Sequence, residues 1–206
     1  MPFVPTTEQL QCSVSIITKV IAQIPYFHIF EESVAPLFPN DAIARSLRAM
    51  TRNAAMDSTL LNIRCFNEFF KPDGRRDDVR AYHFPGLCME PFLTDDEVSS
   101  IDKYLAHITA TRSDIVSKQW TLDAWIALGL THGIEFLSFV DSAFSVSDET
   151  TRKEVRDVHT VLTRRIHKLI KQHEPQNFSG VGTESCVWKG DTPIPGGHPD
   201  QRRPER

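Results

Sequence analysis

Between residues 41 and 70 the chain runs for thirty positions without a proline or a glycine, while Pro25, Pro36 and Pro39 precede the run and Pro72 and Gly74 follow it. A stretch of that length is several times longer than an ordinary strand. Its apolar residues Ile43, Leu47, Met50, Ala54, Leu61, Phe66 and Phe70 recur near the helical period, so the run predicts one long helix. The recurrent apolar positions are expected to face the core, and Asn40 is expected to cap the helix start.

The same period governs the rest. A first helix is predicted from Thr6 or Thr7 to about Gln23, with Val14, Ile17, Val20, Ile21 and Ile24 on its buried side and Pro25 as its stop. A shorter helical piece, residues 27 to 35, is closed by the next two prolines. Thr94 and Glu97 stand three apart ahead of Val98, Ile101, Leu105 and Ile108, which is the spacing of a capping box. That helix is predicted to reach about Ser113. Thr121 and Asp123 mark the start of a helix to about Phe144 that is apolar on most sides, as a central helix of a bundle is. Ser147 and Asp148 open the last one, acidic at its beginning and basic at its end, as the helix dipole favours. The fold class expected is therefore all-α, an antiparallel bundle of five or six helices with one long inter-helix loop of about twenty residues after Pro72.

After Glu174 glycine, proline, serine and charge replace the apolar stripes, so the chain is expected to divide into a helical domain, residues 1–174, and a flexible tail, 175–206. At 206 residues one globular unit is the natural size. The net charge of −4 argues against a protein that coats nucleic acid through its overall field. Cys12, Cys65, Cys88 and Cys186 are widely spaced without a CxxC pair, which predicts reduced, mostly buried thiols rather than a zinc site or a disulfide framework. With no basic-then-apolar leader and no spanning apolar run, a cytoplasmic location and no membrane partner are expected.

Chemistry is harder to place. His132 and Glu135 are spaced as a ligand pair on a helix, yet a carboxylate-bridged metal site needs such pairs on facing helices, so no metal is expected, and no motif calls for a cofactor. The densest polar stretch is RRDDVRAYHF, residues 75 to 84. Arg76 and His83 have six residues between them, a spacing that resembles the arginine and histidine of HEPN-type helical ribonucleases, and Arg152 and His159 repeat it. With 15 arginines and 8 histidines in the chain, chance supplies one or two such matches, and the usual Arg-Asn start is missing from both.

A second resemblance covers somewhat over half of the helical part. MDSTLLNIRCFNEFF (56 to 70), RRDDVRAYHF (75 to 84) and IDKYLAHITATR (101 to 112), followed by Trp120, resemble a pattern in bacterial all-helical proteins of uncharacterised function. It implies a helical fold and no particular activity. The polar positions it matches are Arg64, Asp77, Asp78, His107, Thr109 and Arg112. Two readings of them follow. In the first, Asp77 or Asp78 folds back on Arg64 or Arg112 beside His107 and ties the loop to the bundle, which is the default because structural ion pairs use the same residue types as active sites. In the second, the set lines a pocket in which His107 acts as acid or base and an arginine binds an anion such as phosphate.

The function expected is an interaction or accessory module, with a protein partner or self-association. The alternative is a metal-independent ribonuclease of HEPN type, or another helical enzyme acting on phosphate, working through either set of residues. Nucleic acid is a further expected partner class, through a basic stripe of Arg152, Arg156, Arg164, Arg165, Lys168 and Lys171 on the last helix.

Overall fold

The structure is a computed structural model, described here for residues 3–72, 78–106, 119–144 and 146–173. Among the described residues there are six α-helices and no strand, and the all-α expectation holds. They are α1 (Thr7–Gln23), α2 (Tyr26–Ile29), α3 (Ala42–Phe69), α4 (Asp95–Ala106), α5 (Gln119–Ser142) and α6 (Glu149–His173). The tail lies outside the described residues. No single helix among those described is long and apolar enough to cross a membrane.

Local chemistry sets the helix ends. Thr6 and Gln9 form a reciprocal capping box at α1. Thr94 and Glu97 do the same at α4, where the glutamate accepts the Thr94 amide at 2.8 Å. Asp148 accepts from the Thr151 amide at 2.7 Å and caps α6. Two boundaries differ from expectation. The cap of α3 is Asp41, whose Oδ1 accepts from the Ala44 amide at 2.8 Å, while Asn40 turns its oxygen to Arg45. Helix α5 is already formed at Gln119, ahead of Thr121.

After Pro25 the chain turns through α2 and continues as a π-helical turn, Phe30–Val34, and a 3-10 turn, Ala35–Leu37, before Pro39 breaks it. The π turn carries Glu31 and Glu32.

Helices α3 and α5 pack against each other and both against α1, and α3 also packs against α4. On α3 the inward residues are Thr59, Leu60, Ile63, Phe66, Asn67 and Phe70. On α5, Trp125, Ile126, Leu130, Phe136, Leu137 and Val140 are buried. Gly129 and Gly133 let α5 approach α1 closely: a Cβ on Gly133 would stand 2.5 Å from Ile21 Cγ2, and one on Gly129 3.2 Å from Ile24 Cδ1. Val155 and Leu162 of α6 complete the core.

The sequence-derived core face of α3 needs correction. Phe66 and Phe70 are buried, but Ile43 is 75% exposed, Leu47 50%, Met50 68% and Leu61 48%. At about 100° per residue, Leu61 falls in line with Ile43, whereas the five-residue step from Leu61 to Phe66 rotates the series by about 140° onto the other side of the helix. The recurrence therefore joins two different faces. The thiols differ from expectation as well: Cys12, Cys65 and Cys88 are exposed, and Cys186 lies outside the described residues.

Candidate functional site

Of the polar set singled out in the sequence, Arg76, Asp77, His107, Thr109 and Arg112 lie outside the described residues. Arg64, Asp78 and His83 are described, and they do not come together. Arg64 forms an ion pair through Nε with Asp102, which α4 presents to it across the α3 contact. Asp78 instead bonds Arg80, Oδ2 to Nη2 at 2.6 Å. The partner of Arg64 in this structure is thus a residue of the neighbouring helix rather than Asp78 of the loop, because α4 lies alongside α3.

The loop is tied down, but by other residues. Arg80, only 9% exposed, donates from Nη1 to the carbonyl of Glu68, which also accepts the Lys71 amide at the end of α3. Asn67, fully buried, accepts the amides of Phe92 and Leu93, each at 2.8 Å. Phe84 and Phe92 then set their rings against Phe66, Phe69, Phe70 and Phe136 at centroid separations of 5 to 6 Å in most pairs. Gly86, at φ +87°, makes the turn that brings the second ring round.

His83 faces inward in the same way. Its Nδ1 accepts the Arg80 amide at 2.9 Å, its Nε2 is shut off from solvent, and its ring lies between Tyr82 and Phe3. This geometry holds a short turn together and offers no open nitrogen to a phosphate.

A second polar group centres on the segment 26–34, which the sequence reading passed over. Three of its polar side chains, His28, Glu31 and Glu32, reach three different helices. His28 Nε2 meets Asp123 Oδ1 of α5 at 2.9 Å. Glu31 takes Arg52 of α3 at 2.5 Å, with the guanidinium 4.9 Å above the Phe27 ring. Glu32 takes Lys168 at 2.7 Å and Arg165 at 3.3 Å, both from α6. Burial works against the Glu32 carboxylate, but the Lys168 hydrogen bond and the Arg165, Lys168 and His28 charges hold its pKa below the usual value. Glu31 and Glu32, consecutive on the π turn, thus reach α3 and α6 respectively. Both glutamates already have their cations and His28 is bonded to Asp123, so the group acts as a clamp.

That clamp also changes the basic stripe of α6. Arg165 and Lys168 serve Glu32, while Arg152 and Arg156 both bond Glu149 on their own helix, at 3.2 and 3.0 Å. Arg164 is exposed, and the Lys171 side chain lies outside the described residues. His132 is not paired with Glu135 as a ligand: its Nδ1 lies 3.1 Å from the Leu128 carbonyl oxygen and its ring lies 4.7 Å from that of Phe92. Burial pushes its pKa below the ordinary histidine value, against the pull of the Leu128 carbonyl and Glu135. Among the described residues no three His, Cys, Asp or Glu side chains gather as metal ligands would.

Among the described residues, the outer line of α3 leaves several large apolar side chains exposed. Ile43, Leu47, Met50, Ala54, Asp57 and Leu61 follow one another at intervals of 4, 3, 4, 3 and 4, the spacing of the a and d positions of a heptad. The four large apolar members are exposed, and Thr59, Ile63, Phe66 and Phe70 anchor the opposite side in the core. The spacing was legible in the sequence, where it was read as the core stripe. Compared with protein-family models, curated proteins and solved structures, the chain finds no match in any of the three.

Proposed function

We propose that this chain is an interaction module that binds a partner helix along the outer face of α3. One observation carries the reading: a heptad-spaced line of large apolar side chains, Ile43, Leu47, Met50 and Leu61, stands in water on a helix whose C-terminal part is fixed in the core through Thr59, Ile63 and Phe66. Leaving such side chains exposed costs free energy that packing against a second helix recovers, at roughly 25 cal/mol per Å² of apolar surface covered. A helix already held in shape loses little conformational entropy on docking. The polar clusters support the reading from the other side, since their charges neutralise one another within the fold.

The test is a selection of displayed helical peptides, unbiased in sequence, against the full chain. Binders are expected to lose affinity at least tenfold for Leu47→Glu and to keep it for Tyr82→Glu, an equally exposed position in the loop. Binders indifferent to Leu47→Glu count against the module. A metal-independent cleavage of mixed RNA by the purified chain, abolished by His107→Ala, replaces it with the enzymatic reading.

A further inference from the structure

Where α5 ends and α6 begins, away from the α3 line, the fold leaves a cavity of about 290 Å³. Its inner lining is apolar, with Val140, Val146 and Val155 buried and the half-buried Phe144 beside them. Its exposed lining is polar and includes Asp141, Ser142 and Arg152. We infer that this cavity binds a small primary amine, its ammonium group held by the end of α5 and its apolar body laid against the valines.

Size sets the first limit. The volume stands at the lower bound of small-molecule sites, which run from about 300 to 1,000 Å³, so the body is restricted to a short or branched chain. The apolar half of the lining also separates an organic ligand from a bare metal ion, which takes a shell of oxygens on all sides and would leave the valines unused.

The sign of the head group follows from the acceptors. Helix α5 ends at Ser142, and the amides of Ala143 and Phe144 both turn to the Phe139 carbonyl, at 2.8 and 3.2 Å. Among the described residues the carbonyls of Val140, Asp141 and Ser142 therefore receive no backbone amide. They are the acceptors that every helix leaves over at its C-terminus, at the negative end of its dipole. Asp141 adds a carboxylate that has no hydrogen bond or ion pair among the described residues. An ammonium group, with three donors and no acceptor, matches that set.

Arg152 does not reverse the sign. Its Nη2 is taken up by the Ser147 carbonyl at 3.5 Å and by the Glu149 carboxylate at 3.2 Å. The charge left unanswered on the lining is the one on Asp141, and an anionic ligand would have to face it together with the helix carbonyls.

Three compounds with the same branched body isolate the head group: isoamylamine, isoamyl alcohol and isovalerate, each titrated into the full chain at neutral pH by calorimetry. Isoamylamine is expected to saturate one site with an affinity about tenfold or more above that of the alcohol, and isovalerate is expected not to bind. Asp141→Asn should remove the advantage of the amine. Ala143→Phe, which sets a ring on the exposed lining, should abolish its binding. Both positions are exposed, so circular dichroism and Tm should stay at the parent values. Asp96→Asn, an exposed acid of α4, should leave the titration unchanged. Isovalerate binding as tightly as the amine moves the head group to Arg152 and overturns the inference. Equal binding of amine and alcohol reduces the site to an apolar hole and overturns it as well. Amine binding that survives both Asp141→Asn and Ala143→Phe places the ligand elsewhere, and no saturable binding of isoamylamine removes the site altogether.

Discussion

Replacing Asn67 with alanine isolates what fastens the long loop to the bundle. The side chain is fully buried, and its Oδ1 is the hydrogen-bond acceptor for two consecutive backbone amides, those of Phe92 and Leu93. Alanine leaves both amides in the protein interior without a partner, at a cost of about 1–3 kcal/mol each. One of them can recover part of this through a water, so the expected loss is roughly 2–5 kcal/mol. For a chain of this size that is a fall in Tm of about 4–20 °C, at roughly 2–4 °C per kcal/mol. Urea unfolding followed by circular dichroism should show the midpoint fall with an unchanged slope. Amide exchange should accelerate at Phe92 and Leu93 before it does in α5. Asn62→Ala is the control, because that side chain is half-buried and its longer-range bond is a single one, to Gln23 at 3.1 Å; it should cost less than about 1 kcal/mol. If Asn67→Ala lies within about 0.5 kcal/mol of the parent, the range of an ordinary surface substitution, then the two amides are not what holds the loop.

Three further perturbations test separate parts of the structure. Gly133→Ala and Gly129→Ala each gain about 1 kcal/mol in helix propensity, but the Gly133 methyl meets Ile21 Cγ2 at 2.5 Å and should cost about 1–3 kcal/mol in overpacking; thermal melts should therefore show Gly129→Ala near neutral or stabilising and Gly133→Ala destabilised, and equal stabilisation of both would refute the close approach. His132 titrates below its usual 6.5 in the folded chain because it is buried, so the unfolded chain takes up the proton first; stability is complete above about pH 6.5 and declines as pH falls toward the depressed value. His132→Phe, which keeps a ring against Phe92, should flatten the drop in Tm between pH 7.5 and 5.5, and an unchanged slope would show that other groups cause it. Asp102→Asn should cost less than about 1 kcal/mol, because its bond to Arg64 is more than a third exposed at both ends; a larger loss would mean that Arg64 carries structural weight the geometry does not give it.

What the sequence revealed depended on how far away each side chain's partner lay. Thr94 and Glu97 are three residues apart, and their reciprocal capping could be read directly because both partners share one turn. Asn67 and its two amides are 25 and 26 residues apart, and nothing in the composition around Asn67 says that a loop will pass over it. The same holds for Glu32, whose partner Lys168 is 136 residues away. Arg64 was recognised as needing a carboxylate, but several acids were within reach by sequence and only the packing of α4 selects Asp102. The α3 line failed for another reason. Periodicity identifies an apolar face without saying whether water or protein lies beyond it, and this helix has two such faces.

The 28 residues of α3 make a rod of about 42 Å, and Glu31 and Phe27 grip it at Arg52 near its middle. From that grip the rod extends about 14 Å to Ile43 in one direction and about 21 Å to Phe66 in the other. Such a geometry is a lever with its fulcrum at the π turn. A tilt of α3 that moves Ile43 sideways by 1 Å moves Phe66 by about 1.5 Å the opposite way, against a phenylalanine cluster packed too closely to yield. Force applied at the outer face is therefore resisted by the centre of the molecule.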